Sequence, residues 1–115
     1  MANYSFHVVT MSLSEANGVV TNNINVEGTA DGFGAVVGTV TVATRAGDTS
    51  GTYTFVLANF PEIGDGIFST GDGEWSKIAW DRFSTAGSST LSTGESLKHE
   101  GTFNFSARTW SGTFD

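Results

Sequence analysis

Apolar side chains recur at every second position through most of this chain, and this alternation constrains its fold more than any other feature. The clearest case is residues 52–57, where Tyr53, Phe55 and Leu57 alternate with threonines and a valine. A strand places successive side chains on opposite faces of a sheet, whereas a helix repeats about every 3.6 residues. The sequence therefore predicts an all-β chain whose strands bury at least one face.

Turn-forming residues separate the alternating segments. Asn17-Gly18, Asp31–Gly34, Arg45–Asp48 and Ser106-Ala107 combine residue types that tolerate a reversal of the chain. No helical segment is long enough to cover a parallel sheet, so the strands are expected to be antiparallel. Residues 1–115 are of single-domain size, and we expect about eight strands in one small β-barrel, with a β-sandwich as the alternative.

Three segments are less regular. In residues 4–11 both alternating sets contain apolar side chains, so both faces are expected to be partly buried. A glycine-rich stretch follows Pro61 and is expected to be a loop with a short strand around residues 67–69. Residues 74–83 fit helical and strand spacing, and strand is favoured. Residues 84–96 are almost entirely Ser, Thr and Gly, which predicts a mobile loop or a weak edge strand.

The composition limits the partners of the chain. Twelve acidic against five basic residues give a net charge of −7, which disfavours nucleic acid and anionic membrane surfaces. The chain has no cysteine, which excludes disulfides, thiolate metal sites and cysteine nucleophiles. Residues 1–12 lack the basic start and apolar run of a targeting segment. A cytoplasmic location without a membrane partner is the simplest interpretation.

Two strand entries combine glycine, threonine and an aromatic residue: Gly51-Thr52-Tyr53 and Gly101-Thr102-Phe103. In the spacing of such strand entries over most of its length, the chain resembles the small barrels related to allene oxide cyclase. The resemblance implies an eight-stranded barrel with an apolar cavity, used in that family for cyclisation or for binding small molecules. It has no specific motif, so it transfers no functional residue to this chain.

His7 and His99 are the two histidines, and each lies on a predicted strand among aromatic residues. Either side chain could point into a barrel and act as an acid or base, with Tyr4 and Trp80 as walls of a ligand-binding site. The structural alternative is that both are surface or packing residues. No spacing typical of a metal site or of a cofactor-binding loop is present, so we expect neither a metal nor a cofactor.

The acidic residues Asp65, Asp72 and Glu74 lie in the glycine-rich stretch, but their spacing does not fit a calcium-binding loop. A solvated acidic loop is the simpler interpretation, and no carboxylate pair identifies a glycosidase.

Three functions fit these observations. The first is a barrel that binds a small apolar ligand, either as a binding protein or as a cyclase or isomerase; no motif decides whether a reaction is catalysed. The second is a non-catalytic interaction module that uses an exposed apolar patch, for example to form a homo-oligomer. The third is a carbohydrate-binding sandwich that presents Trp75, Trp80 and Trp110 on its surface.

Overall fold

The protein is a closed antiparallel β-barrel, as the alternation predicts. The computed structural model describes residues 1–115 and contains eight strands and no helix, so no helix is available to cross a membrane. The strands are β1 (Ala2–Ala16), β2 (Val19–Ala30), β3 (Gly34–Arg45), β4 (Ser50–Asn59), β5 (Phe68–Ala79), β6 (Arg82–Leu91), β7 (Ser96–Asn104) and β8 (Thr109–Phe114). Each strand pairs with its neighbours along the chain, and β8 closes the ring on β1.

The chain reverses at the turn residues predicted from the sequence. The reversal between β1 and β2 uses Asn17 and Gly18, whose φ angles are 54° and 81°. Two consecutive residues with positive φ are the requirement of the tight hairpin turn whose twist matches that of paired strands. The two strands of this hairpin are paired from Ala16 opposite Val19 to Tyr4 opposite Ala30, with one bulge in β1.

The predictions for residues 61–73 and 84–96 were right only in part. Residues 61–67 and 92–95 are connections, whereas the strand expected around residues 67–69 extends to Ala79 and residues 84–91 lie in a strand with two partners. Gly71 and Gly73 lie inside β5, and most of the Ser/Thr-rich segment forms β6, which is paired along one side with β5 and along the other with β7. A Cβ atom at Gly73 would overlap the hydroxyl of Tyr53, and one at Gly71 would lie 2.5 Å from the ring of Phe55. These glycines therefore make room for large rings on β4, and a closed barrel leaves β6 no free edge.

Two bulges change the side-chain pattern. The register of β1 against β2 shifts between Val8 and Thr10, and Met11 then packs against the core. Before the bulge, Tyr4 and Phe6 are buried, while Val9 is 54% exposed. The expectation that both faces of this strand are partly buried was therefore wrong: one face lies inside the barrel and the other in solvent. A second bulge, between Lys77 and Ala79, precedes the turn that joins β5 to β6.

The interior is filled at mid-height by a layer of rings that we call the central aromatic layer, formed by Tyr4, Tyr53, Phe55, His99 and Trp110. Trp110 is 3% exposed, and its ring centroid lies 5.3 Å from that of Tyr4 and 5.9 Å from that of His99. Its Nε1 donates a hydrogen bond of 3.1 Å to Oγ1 of Thr85 on β6. The layer divides the space inside the barrel into two parts.

Candidate functional site

The first of these parts, which we call the His99 chamber, opens at the end of the barrel that carries the β2–β3 turn, the β4–β5 loop and the β6–β7 turn. Its volume is about 80 Å³, and 13 of its 17 lining residues are hydrophobic. A buried water needs roughly 10–15 Å³ of such space, so the chamber has room for a small organic group. The residues that line it include Tyr4, Leu57, Ser89, Leu97, His99 and Trp110.

His99 is the one histidine that lines a chamber, and its position is fixed by Tyr53. The Tyr53 hydroxyl and Nε2 of His99 are hydrogen-bonded at 2.5 Å. When the phenol donates to Nε2, the proton of the neutral ring sits on Nδ1, which has no hydrogen-bond partner within the protein. The ring of Phe55 packs edge-on against the imidazole, with centroids 5.3 Å apart. The histidine thus offers one free nitrogen within an apolar lining.

Burial sets the protonation state of this group. Desolvation lowers the pKa of His99 below its ordinary value of 6.5, although the negative charge of Asp72 acts in the opposite direction. Desolvation also raises the pKa of Tyr53, and it raises the pKa of Tyr4 to about 12. At neutral pH the His99 chamber therefore contains an uncharged imidazole and the uncharged phenol of Tyr4, and the Tyr53 phenol that holds His99 is uncharged as well.

The rim of the His99 chamber is acidic. The turns and the loop at this end carry Asp31, Glu62, Asp65 and Glu95, all of them exposed. Lys98, near the start of β7, is the one Lys or Arg side chain at this end of the barrel. An excess of negative charge around an apolar opening repels anions and attracts cations.

The second part, which we call the Trp75 chamber, lies at the opposite end and has a volume of about 180 Å³. Its wall is made chiefly of aromatic and aliphatic side chains from seven strands, and Trp110 and Tyr53 separate it from the His99 chamber. The lining residues are Asn22, Ile24, Val40, Val42, Thr44, Tyr53, Trp75, Phe83, Thr85, Phe103, Phe105 and Trp110.

The structure separates the four residues predicted to form one site. Tyr4 and His99 both line the His99 chamber, and their rings are 6.5 Å apart. His7 does not face the interior, because it alternates with the buried Tyr4 and Phe6. Its Nε2 instead lies 3.0 Å from Oε1 of Glu27 on the outer surface. The prediction that His7 points into the barrel was therefore wrong.

Trp80 is also outside both chambers, because it lies in the turn after β5 and is 79% exposed. Trp75 and Trp110 are 8% and 3% exposed, on the inner faces of β5 and β8. The three tryptophans thus form no common surface. The prediction of a carbohydrate-binding sandwich depended on such a surface and on a sandwich, and the barrel provides neither.

The acidic residues of the glycine-rich stretch do not form one loop. Asp65 lies in the β4–β5 connection, whereas Asp72 and Glu74 are exposed on β5. No group of three or more His, Cys, Asp or Glu side chains is placed to hold a metal ion.

The ligand-binding site predicted from the sequence did not include Tyr53, Asn22 or Trp75, although Trp75 was considered for a carbohydrate-binding surface. A signal for the first was present, because Tyr53 shares its alternating set with Phe55 and Leu57, which identifies its face as the inner one. Comparisons with protein-family models, with curated proteins and with solved structures found no match for this chain. Its function is therefore inferred from the geometry of the two chambers.

Proposed function

We propose that the barrel binds a small apolar molecule, neutral or positively charged, in the His99 chamber. The observation that supports this most strongly is an apolar cavity that contains one histidine, His99, with a free ring nitrogen. Apolar walls with a few placed polar groups are typical of small-molecule sites. The same kind of cavity is implied by the resemblance to the allene oxide cyclase barrels.

The charge of the ligand follows from the lining and the rim. An anion would meet Glu62, Asp65 and Glu95 at the opening and no cationic group inside. Transfer of an unpaired charge into an apolar cavity is costly, so a positive group on the ligand would stay at the rim. The apolar part then fills the chamber and a polar atom reaches Nδ1 of His99.

Three probes that share a benzene ring but differ in charge test this proposal: toluene, benzylamine and benzoate. The chamber is open at its rim, so a ring larger than its volume of about 80 Å³ can enter in part. Binding is followed by NMR through the ring signals of His99 and the backbone amides of the lining residues. We expect toluene and benzylamine to shift these signals, and benzoate to bind at least about tenfold more weakly, a difference of about 1.4 kcal/mol. Equal binding of benzoate would contradict the predicted charge preference.

A large side chain that fills the His99 chamber should block binding, and the same substitution on the outer face is its control. Ser89 lines the His99 chamber, whereas the neighbouring Ser88 is exposed on the outer face of the same strand. Ser89→Phe should abolish the shifts that toluene causes in the ring signals of His99, and Ser88→Phe should leave them unchanged; Ser89→Leu replaces the first variant if its circular dichroism departs from wild type. Shifts of the His99 signals that survive the filling variant, or no such shift with any probe in wild type, would overturn the proposal.

A cyclase or isomerase would use the same site. Proton abstraction from a bound ligand would depend on His99, because the Tyr4 phenol keeps its proton at neutral pH and cannot act as a base. His99→Gln should then remove turnover of a substrate while toluene still binds. Turnover that persists in this variant would exclude His99 as the proton-transfer group.

As a second candidate we propose self-association through an outer apolar patch. Val37, Val56 and Phe68 lie on the neighbouring strands β3, β4 and β5 and are 41%, 52% and 53% exposed. Val56→Glu should shift a concentration-dependent dimer to monomer in sedimentation experiments, whereas Thr54→Glu, exposed on the same strand but outside the patch, should not. A wild-type protein that is monomeric at all concentrations would exclude this candidate.

A further inference from the structure

The Trp75 chamber is the larger of the two cavities, at about 180 Å³ against about 80 Å³. Apolar cavities of roughly 150 Å³ accommodate a benzene ring, so this chamber has room for one six-membered ring. Trp110 lines both chambers, and the hydrogen bond between Tyr53 and His99 crosses the layer between them. A molecule in one chamber is therefore separated from the other by side chains of the central aromatic layer.

Two polar atoms of residues that line the Trp75 chamber lack a partner. Nε1 of Trp75 is buried and donates to no acceptor, and Oδ1 of Asn22 is buried and accepts no hydrogen bond. The amide nitrogen of Asn22 lies 3.7 Å from the sulfur of Met11, a weak acceptor. A buried donor or acceptor without a partner costs about 1–3 kcal/mol, and few remain in folded proteins.

Both atoms are covered by protein when the chamber is empty. The edge of the Trp75 indole fills the space that a side chain at Gly51 on β4 would take, because a Cβ atom there would lie 2.8 Å from Nε1. The terminal torsions of tryptophan and asparagine are broad, so a rotation of each side chain can turn Nε1 and Oδ1 toward a ligand in the chamber.

The lining also defines the charge and shape of a ligand. No Asp, Glu, Lys, Arg or His side chain lines the Trp75 chamber, and burial keeps the Tyr53 phenol protonated. An ionic ligand would therefore be buried without a counter-charge, which is costly. Trp75 and Phe83 stand nearly perpendicular, with ring centroids 5.7 Å apart, and a flat ring in the chamber can pack against such aromatic walls.

We propose that the Trp75 chamber is a second ligand site, which takes a small uncharged planar ring with a hydrogen-bond acceptor and a donor next to each other, as in a cyclic amide. The acceptor of the ligand pairs with Nε1 of Trp75 and its N–H donor pairs with Oδ1 of Asn22. This site differs in place and in ligand chemistry from the His99 chamber, and it does not rest on the function proposed there.

The probe for this site is 2-pyridone, which carries a carbonyl oxygen beside an N–H group. N-methyl-2-pyridone lacks the donor and toluene lacks both polar groups. The readout is the indole N–H signal of Trp75, which is distinct from those of the exposed Trp80 and of Trp110, whose Nε1 is bonded to Thr85. We expect 2-pyridone to shift this signal and to bind about tenfold more tightly than N-methyl-2-pyridone, since one hydrogen bond is lost.

Two variants test the two hydrogen bonds. Asn22→Leu removes the acceptor at similar volume, and Trp75→Phe removes the donor but keeps an aromatic ring. Each should weaken 2-pyridone binding about tenfold, and Asn22→Leu should leave toluene binding unchanged. For Trp75→Phe, whose indole signal is lost, binding is followed through the indole signal of Trp110. If Asn22→Leu does not fold, Asn22→Val replaces it, because it also removes the acceptor.

A variant of the other chamber separates this proposal from the first. Ser89→Phe fills the His99 chamber and should leave 2-pyridone binding unchanged, whatever its effect on toluene. Equal affinities for 2-pyridone and its N-methyl analogue would overturn the proposed hydrogen bonding. No shift of the Trp75 indole signal with 2-pyridone, together with a bound water detected beside it, would show that water satisfies these atoms and would overturn the site.

Discussion

The two chambers share one barrel and one wall of rings, but they differ in the polar groups that they offer. In the His99 chamber the buried imidazole is held by Tyr53 and keeps one nitrogen free, under an acidic rim. In the Trp75 chamber a buried indole N–H and an amide oxygen have no partner, and no ionic side chain lines the wall. An alternating apolar pattern can thus form two cavities of different chemistry, because the polar residues that interrupt it differ at the two ends of the strands.

The largest effect is expected where the two chambers meet. Trp110→Ala removes the ring that lines both, so one continuous cavity should replace two. Truncation of a buried aromatic residue costs about 3–5 kcal/mol, which urea unfolding measures as a lower free energy of unfolding. Trp80→Ala is the control, because an exposed turn residue should change stability by less than about 0.5 kcal/mol. Similar losses in both variants would mean that Trp110 does not support the division.

The next largest effect on stability is expected at Gly101, beside Tyr4 of the central aromatic layer. A Cβ atom at Gly101 would overlap the Tyr4 hydroxyl and the backbone oxygen of Ser111. Gly101→Ala should therefore lower the free energy of unfolding by about 1–3 kcal/mol, and adding Tyr4→Phe should restore part of it. Ser88→Ala, on the outer surface, serves as the control. If the two effects simply add, Tyr4 does not contact this position.

A change of pH should distinguish the two chambers, since only one contains a histidine. The unfolded chain binds a proton at the ordinary histidine pKa of 6.5, whereas burial holds the pKa of His99 in the folded protein below that value. Protons then favour the unfolded state, so stability should fall as pH decreases below about 6.5. His99→Leu should show a smaller decrease than wild type between pH 7.5 and 5.5, measured by denaturant unfolding. Parallel curves for the two proteins would contradict this prediction.

The smallest effect is expected outside both chambers. His7 and Glu27 form an ion pair or hydrogen bond on the outer surface, with side chains 59% and 51% exposed. His7→Gln should change the free energy of unfolding by less than about 0.5 kcal/mol, and it should leave toluene and 2-pyridone binding unchanged. A larger loss, or a change in the binding of either probe, would show that the surface pair is coupled to the interior.

The barrel could be predicted because the alternation and the turn residues agree for β1 to β4, β7 and β8. The sequence of β5 and β6 could not be interpreted in the same way, because Gly71, Gly73 and Gly87 interrupt the apolar residues of their inner faces. Gly71 and Gly73 make room for the rings of Phe55 and Tyr53 on β4, and Gly87 lies against the backbone of β5. These contacts are not visible along the chain, and the residue pattern alone favours a loop.

The residues of the candidate site could also be predicted only in part from the sequence. His7 and His99 both follow a strand pattern, but His7 alternates with the buried Tyr4 and Phe6, whereas His99 shares its face with Leu97 and Phe103. The alternation alone could have separated them. The free atoms of Trp75 and Asn22 could not have been found in this way, because a missing hydrogen-bond partner is a property of the assembled barrel.

The closure of the ring has a consequence for the order of the strands. Since β1 pairs with β8 from Ala2–Phe114 to His7–Thr109, the two chain ends lie side by side. Joining them through a short linker and opening the exposed Ser92–Gly94 turn would give a circular permutant that begins with β7 and ends with β6. All eight strand pairings would be retained in that chain. The neighbours of each strand, and not its place along the polypeptide, thus define this barrel.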